Sequence, residues 1–146
     1  MTSRMNATKR ELILQEEVYT VVGYAIEVLN VRGHGLHETI YENCLCVEFR
    51  LRGISCTQQE RHRVLYKGEL VGDYVSDLVV LQKLIVDTKT IDRITDHERG
   101  QMLNYLRITI LPVGVILNFK YARLEWERLV LTKGPQFDAH KQELAF

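Results

Sequence analysis

Apolar residues recur along the chain with two different periods, and the change of period divides it into segments. From about Thr8 to Asn30 the pattern is helical. Leu12, Val18, Val22, Ile26 and Leu29 fall on one side of a helix. Val31-Arg32-Gly33-His34-Gly35 breaks that helix, and a second is expected from Leu36 to Arg52, with Ile40, Tyr41, Leu45 and Phe49 as its buried stripe. Gly53 suits its C-terminal cap. Beyond it the period shortens. Arg61–Tyr66 and Glu69–Val80 read as strands around a Lys67-Gly68 turn, and Leu84–Thr90 reads as a third strand. The runs Leu78–Leu81 and Leu84–Val86 have the continuous apolar character of strands covered on both faces. Asp96–Thr109 is helical again, with Met102, Leu103, Leu106 and Ile110 on its apolar side. Strands at Val113–Phe119 and Leu124–Leu131 follow. Strands clustered before one helix, with more strand after it, predict an α/β domain with a mixed central sheet flanked by helices.

The 146 residues fit a single domain, with a core over about residues 10–131 and loose tails. The formal net charge is zero, which weakens the case for tight, unspecific nucleic-acid binding through a surplus of cations, while a local basic face stays open. Arg61, Arg63 and Lys67 form one basic cluster. No apolar run is long enough to span a bilayer, and Met1–Arg10 has no secretion-type segment, so a cytoplasmic protein without a membrane partner is expected. Cys44, Cys46 and Cys56 have neither disulfide-framework nor zinc-finger spacing and read as buried or half-buried thiols.

The candidate chemistry lies around Asp77 and Asp87-Thr88-Lys89. Residues two apart on a strand share a face, so Asp87 and Lys89 point the same way. The short link between the two apolar strands requires an antiparallel hairpin. A two-residue loop at Gln82-Lys83 would pair Asp77 with Thr88. A three-residue loop, Leu81-Gln82-Lys83, pairs Asp77 with Asp87 and is the expected register. Two or three carboxylates with the Thr88 main-chain carbonyl suit a hard cation, Mg²⁺ or Mn²⁺. Such an ion lowers the pKa of bound water and polarises a phosphoryl oxygen, and a lysine beside it can stabilise the developing charge. His97, Gln101 and Tyr105 form a separate stripe on the late helix, while His34 and His37 read as loop residues.

Asp77 with Asp87-x-Lys89 resembles the PD-(D/E)XK nuclease signature. Gly35-Leu36-His37-Glu38-Thr39-Ile40-Tyr41 resembles the motif of the GxxExxY proteins, a small bacterial group within that superfamily. Lys67-Gly68, Val71-Gly72-Asp73-Tyr74, Val113-Gly114 and Asn118-Phe119 resemble the same group. Gln101-Met102-Leu103-Asn104-Tyr105 is similar to the Q-x-x-x-Y element of RecB-like nucleases. The resemblance implies a restriction-endonuclease-like fold and metal-dependent hydrolysis of phosphodiester bonds in DNA or RNA. It casts Asp77, Asp87 and Glu38 as metal-binding catalytic acids and Lys89 as the catalytic cation. Gln101 and Tyr105 become nucleic-acid contacts. The group usually carries glutamate where this chain has Asp87, a carboxylate one methylene shorter. The alternative is a nuclease-fold module with little turnover that binds nucleic acid or protein; a homo-oligomer is compatible with either.

Overall fold

The computed structural model describes residues 13–131. Leu14 adopts a left-handed backbone (φ 56°), so the first helix, α1, begins behind it and spans Gln15–Arg32. The expected start at Thr8, and Leu12 with it, lie outside the described residues. Gly33 ends α1 at φ 77°, its N–H donating to the Leu29 carbonyl, a backbone angle that glycine adopts without steric cost. Helix α2 spans Glu38–Leu51. Strands β1 (Cys56–Tyr66) and β2 (Glu69–Val80) form a long hairpin, followed by β3 (Leu84–Lys89). Helix α3 (Asp96–Thr109), β4 (Val113–Asn118) and β5 (Glu125–Val130) complete the described chain.

The sheet order is β1-β2-β3-β4-β5, with β3 and β4 parallel and the other neighbours antiparallel. Antiparallel neighbours need only short turns, whereas the β3–β4 pair requires the crossover that α3 supplies. This is the mixed, helix-flanked α/β architecture expected of a restriction-endonuclease-like fold.

Alternation along the strands sends side chains into two cores. Leu78, Val80, Leu84, Val86, Val113, Val115 and Leu117 pack against Val18, Val22, Tyr41, Leu45 and Phe49 of α1 and α2. Ile85 and Ile116 pack against Met102, Leu103 and Leu106 of α3. Covering both faces explains why the central strands are apolar without interruption. Helix α3 starts with a full capping box, in which Thr95 accepts from the backbone and Glu98 reaches back to the Thr95 N–H.

Three expected stripe residues lie outside the cores. Ile26 and Ile40 are on exposed edges of their helices, and Ile110 is 86% exposed. Ile110 is the left-handed cap of α3 (φ 61°), so it no longer follows the helical period. Strand β1 also begins five residues before the expected Arg61. Cys56–Glu60 is mostly polar because an edge strand needs only backbone pairing, here with Ser76–Val80 of β2. Cys44, Cys46 and Cys56 are half-buried free thiols, as their spacing implied.

Candidate active site

The β2–β3 hairpin sets the register of the site. Val80 pairs with Leu84, Val79 with Ile85 and Leu78 with Val86. The loop is therefore Leu81-Gln82-Lys83, with Leu81 and Gln82 both left-handed and the Lys83 N–H donating to the Val80 carbonyl at 3.0 Å. One further step of this register brings Asp77 opposite Asp87, as the three-residue loop requires. The ladder stops at Leu78–Val86, so the two strands part where the aspartates stand. Across the gap the Thr88 N–H donates to Asp77 Oδ2 at 3.2 Å.

Asp87 is 6% exposed, and among the described residues nothing donates a hydrogen bond to its carboxylate. Burial pushes its pKa up to about 7; Asp77, Glu38 and Glu42 add to the rise and Lys89 opposes it. Burial also raises the Asp77 carboxyl, with Glu42 and Glu38 adding, against the Thr88 amide and Lys89. A buried carboxylate without a donor is costly unless a cation meets it. The donor chemistry around Asp87, hard carboxylate oxygens with a cationic lysine alongside, fits a divalent ion. Among the described residues the acids do not close into a ready-made cage of three. One oxygen of Asp77 is held by the Thr88 amide, and Glu38 Oε2 accepts from the Thr90 N–H at 3.3 Å.

The loop before α2 explains how Glu38 reaches this place. Gly35 (φ 98°) makes a bend that other residues resist. Tyr41, fully buried, then clamps the loop: its hydroxyl donates to the Gly33 carbonyl at 2.8 Å and accepts from the Leu36 N–H at 3.0 Å. Its ring stacks on Phe119 at 4.5 Å. Tyr41 thus positions the first turn of α2, from which Glu38 reaches the backbone just after Lys89. On the other side, Asn118 holds the segment following β3. It accepts from the Ile91 N–H at 3.0 Å and donates to the Ile91 carbonyl at 2.8 Å.

Two further residues join the acids without standing out in the sequence. Glu42, 5% exposed, lies one turn beyond Glu38 and accepts from Gln58 (2.6 Å) and Gln59 (2.8 Å) of β1. The i, i+4 spacing of two acids on α2 was the available signal. Tyr74 is the second. Its ring stacks between Tyr105 (3.9 Å) and His62 (5.5 Å), and its hydroxyl is buried without a partner. Burial raises the pKa of both Tyr74 and Tyr105, with Asp87 adding to each, so both remain hydroxyl donors beside the acids.

Of the expected stripe on α3, Tyr105 enters this ring stack and Gln101 is half-buried on the same helix. His97 is exposed at the start of α3. The basic cluster divides: Arg61 pairs with Asp73 at 2.9 Å, Lys67 lies over the Tyr66 ring, and Arg63 stays exposed. Trp126 packs against the first core, whereas Tyr121 is half exposed. No described helix is long and apolar enough to cross a membrane.

The fold is similar to that in the crystal structure of SSO0001, at a TM-score of 0.54 and 11% identity. The match covers 73% of this chain and 56% of that one, so this chain spans little more than half of that protein's length. At such identity the likeness concerns the fold alone. No curated protein matches the chain. The model of the PD-(D/E)XK nuclease superfamily matches residues 15–129, and the chain belongs to that superfamily.

Proposed function

We propose that the protein is a divalent-metal-dependent nuclease that hydrolyses phosphodiester bonds in DNA or RNA at the end of β3. The observation that carries this reading is Asp87, buried without a hydrogen-bond donor, with Asp77 across the gap and Lys89 two residues on. In this reading Asp77 and Asp87 hold Mg²⁺ or Mn²⁺, the Thr88 carbonyl supplies a neutral ligand, and Glu38 adds a carboxylate from α2. The ion, when bound, supplies an acidified water and Lewis-acid polarisation of the phosphoryl oxygen. Lys89 neutralises charge that grows on the phosphoryl oxygens. Gln101 and Tyr105 contact the nucleic acid from α3. Gly35, Glu38 and Tyr41 support placement in the GxxExxY group, and Gln101 with Tyr105 supports the RecB-like branch.

Calorimetric titration with Mn²⁺ and Mg²⁺ tests the metal site. Asp77→Ala and Asp87→Ala are each expected to weaken binding strongly, whereas equal binding by wild type and both variants contradicts it. Lys89→Met is expected to keep metal and nucleic-acid binding but lose cleavage, because lysine acts on the transition state.

A second reading, a binding module with little turnover, has its own support. Asp77 and Glu38 each already accept from a backbone amide. A wild type that binds nucleic acid but cleaves neither DNA nor RNA would favour it.

A further inference from the structure

Beyond the acids, the most distinctive unassigned feature is a cleft of about 290 Å³ between β1 and α3. It is lined by Arg63, Val64, Leu65, Arg107 and Ile108. We propose that this cleft seats a backbone phosphate of the nucleic-acid strand whose scissile bond lies at Asp77 and Asp87, an inference that rests on the nuclease reading.

Three observations converge on that occupant. First, two arginines line the cleft, and neither forms an ion pair among the described residues. Arg61, their neighbour on β1, is tied to Asp73 at 2.9 Å, whereas Arg63 is exposed and makes no ion pair among the described residues. Second, Arg107 is half-buried with an unmet donor. Its Nη1 donates to Asn104 Oδ1 at 2.6 Å, but its Nε is buried without an acceptor. Desolvation lowers the Arg107 pKa, as befits a guanidinium stripped of water with no anion in return. A guanidinium offers a planar fork of donors matched to phosphate oxygens, which an incoming phosphodiester would satisfy. Third, the cleft adjoins the ring stack beside Asp87: Val64 lies two residues beyond His62 on β1 and shares its sheet face, and Ile108 lies one turn beyond Tyr105 on α3.

The zero net charge makes this arrangement informative. A chain without surplus cations cannot attract nucleic acid over its whole surface, so affinity has to come from local, uncompensated arginines. Val64, Leu65 and Ile108 wall the cleft with apolar atoms, which strengthens a charge-assisted hydrogen bond formed inside it.

The test is fluorescence anisotropy with labelled single-stranded and duplex DNA and RNA oligonucleotides, in chelator so that nothing is cleaved, over a series of salt concentrations. Arg63→Gln combined with Arg107→Gln is expected to bind about tenfold more weakly at low salt. The slope of log affinity against log salt should shrink by about 0.7 on single strands or about 0.9 on duplex, the share of one phosphate. Arg61→Gln, whose arginine is already paired, should leave the slope unchanged. Because Arg107 is part-buried, the exposed Arg63→Glu is measured alone as well and is expected to weaken binding at least as much. Wild-type binding with unchanged affinity and slope in the Arg63 and Arg107 variants overturns the cleft but leaves the nuclease reading standing. Equal losses on Arg61→Gln also overturn it. A wild type that binds none of the oligonucleotides overturns both.

Discussion

Replacing Asp87 by Asn should make the metal-free protein more stable while removing its metal response. The carboxyl of Asp87 ordinarily titrates near 3.8 and is held at about 7 in the fold. Between those values the folded state binds the proton better than the unfolded state, so stability falls as pH rises through that window. At 1.36 kcal/mol per pH unit, the interval corresponds to about 4 kcal/mol lost once pH exceeds 7. Asparagine has nearly the same shape and no charge, so it removes that loss. Its amide would be buried without an assured partner, which costs about 1–3 kcal/mol. The net gain is then about 1–3 kcal/mol at pH 8, or a melting temperature higher by roughly 3–9 °C. Near pH 4, where Asp87 is protonated in the folded state and about half protonated in the unfolded one, little of that loss has accrued and the variant should be no more stable than wild type. Thermal unfolding followed by circular dichroism from about pH 4 to 9, in chelator, measures the difference. Magnesium at about a hundred times its dissociation constant should then raise wild-type stability by about 2.7 kcal/mol. It should leave Asp87→Asn unmoved. An Asp87→Asn protein less stable than wild type at pH 8 in chelator would refute the reasoning, because it would mean that Asp87 stabilises the fold instead of being held against its charge.

Two further substitutions test how the site is held. Tyr41→Phe keeps the ring stacked on Phe119 but strips the hydroxyl from Gly33 and Leu36. Urea unfolding should show a loss of about 1–3 kcal/mol, and metal affinity should fall as Glu38 loses its anchorage. Gly114→Ala would bring a methyl group to 2.3 Å from the Met102 sulfur. Overpacking of this kind should cost about 1–3 kcal/mol by urea unfolding, toward the lower end because methionine can move.

Much of this arrangement is legible in the sequence because burial on both faces leaves an unmistakable pattern. The runs Leu78–Val80 and Leu84–Val86 mark two central strands, and the three-residue loop between them sets a register that pairs Leu78 with Val86, one step short of Asp77 and Asp87. The start of helix α3 is marked by Thr95 and Glu98, signals carried by local residue types, whereas the residue type of Ile110 does not announce the left-handed cap at its other end. What the pattern hides is whatever depends on long-range packing. Cys56–Glu60 is a strand because β2 offers it backbone partners, and its own side chains say little. Glu42 is buried because Gln58 and Gln59 reach it from β1, sixteen and seventeen residues away. Tyr74 matters through rings contributed by β1 and α3. The basic cluster likewise looks uniform along the chain, yet Asp73 neutralises one arginine and leaves another free of ion pairs among the described residues.

Cleavage itself tests the assignment of Asp77 and Asp87 to metal-dependent hydrolysis. Purified protein is incubated with single-stranded and duplex DNA and RNA, with Mg²⁺ or Mn²⁺ and with chelator, beside Asp87→Asn, which should fold at least as well as wild type at pH 8. Metal-dependent strand scission is expected from wild type on at least one substrate, and none from Asp87→Asn. Scission that persists in chelator, or that Asp87→Asn performs as fast as wild type, would contradict that assignment.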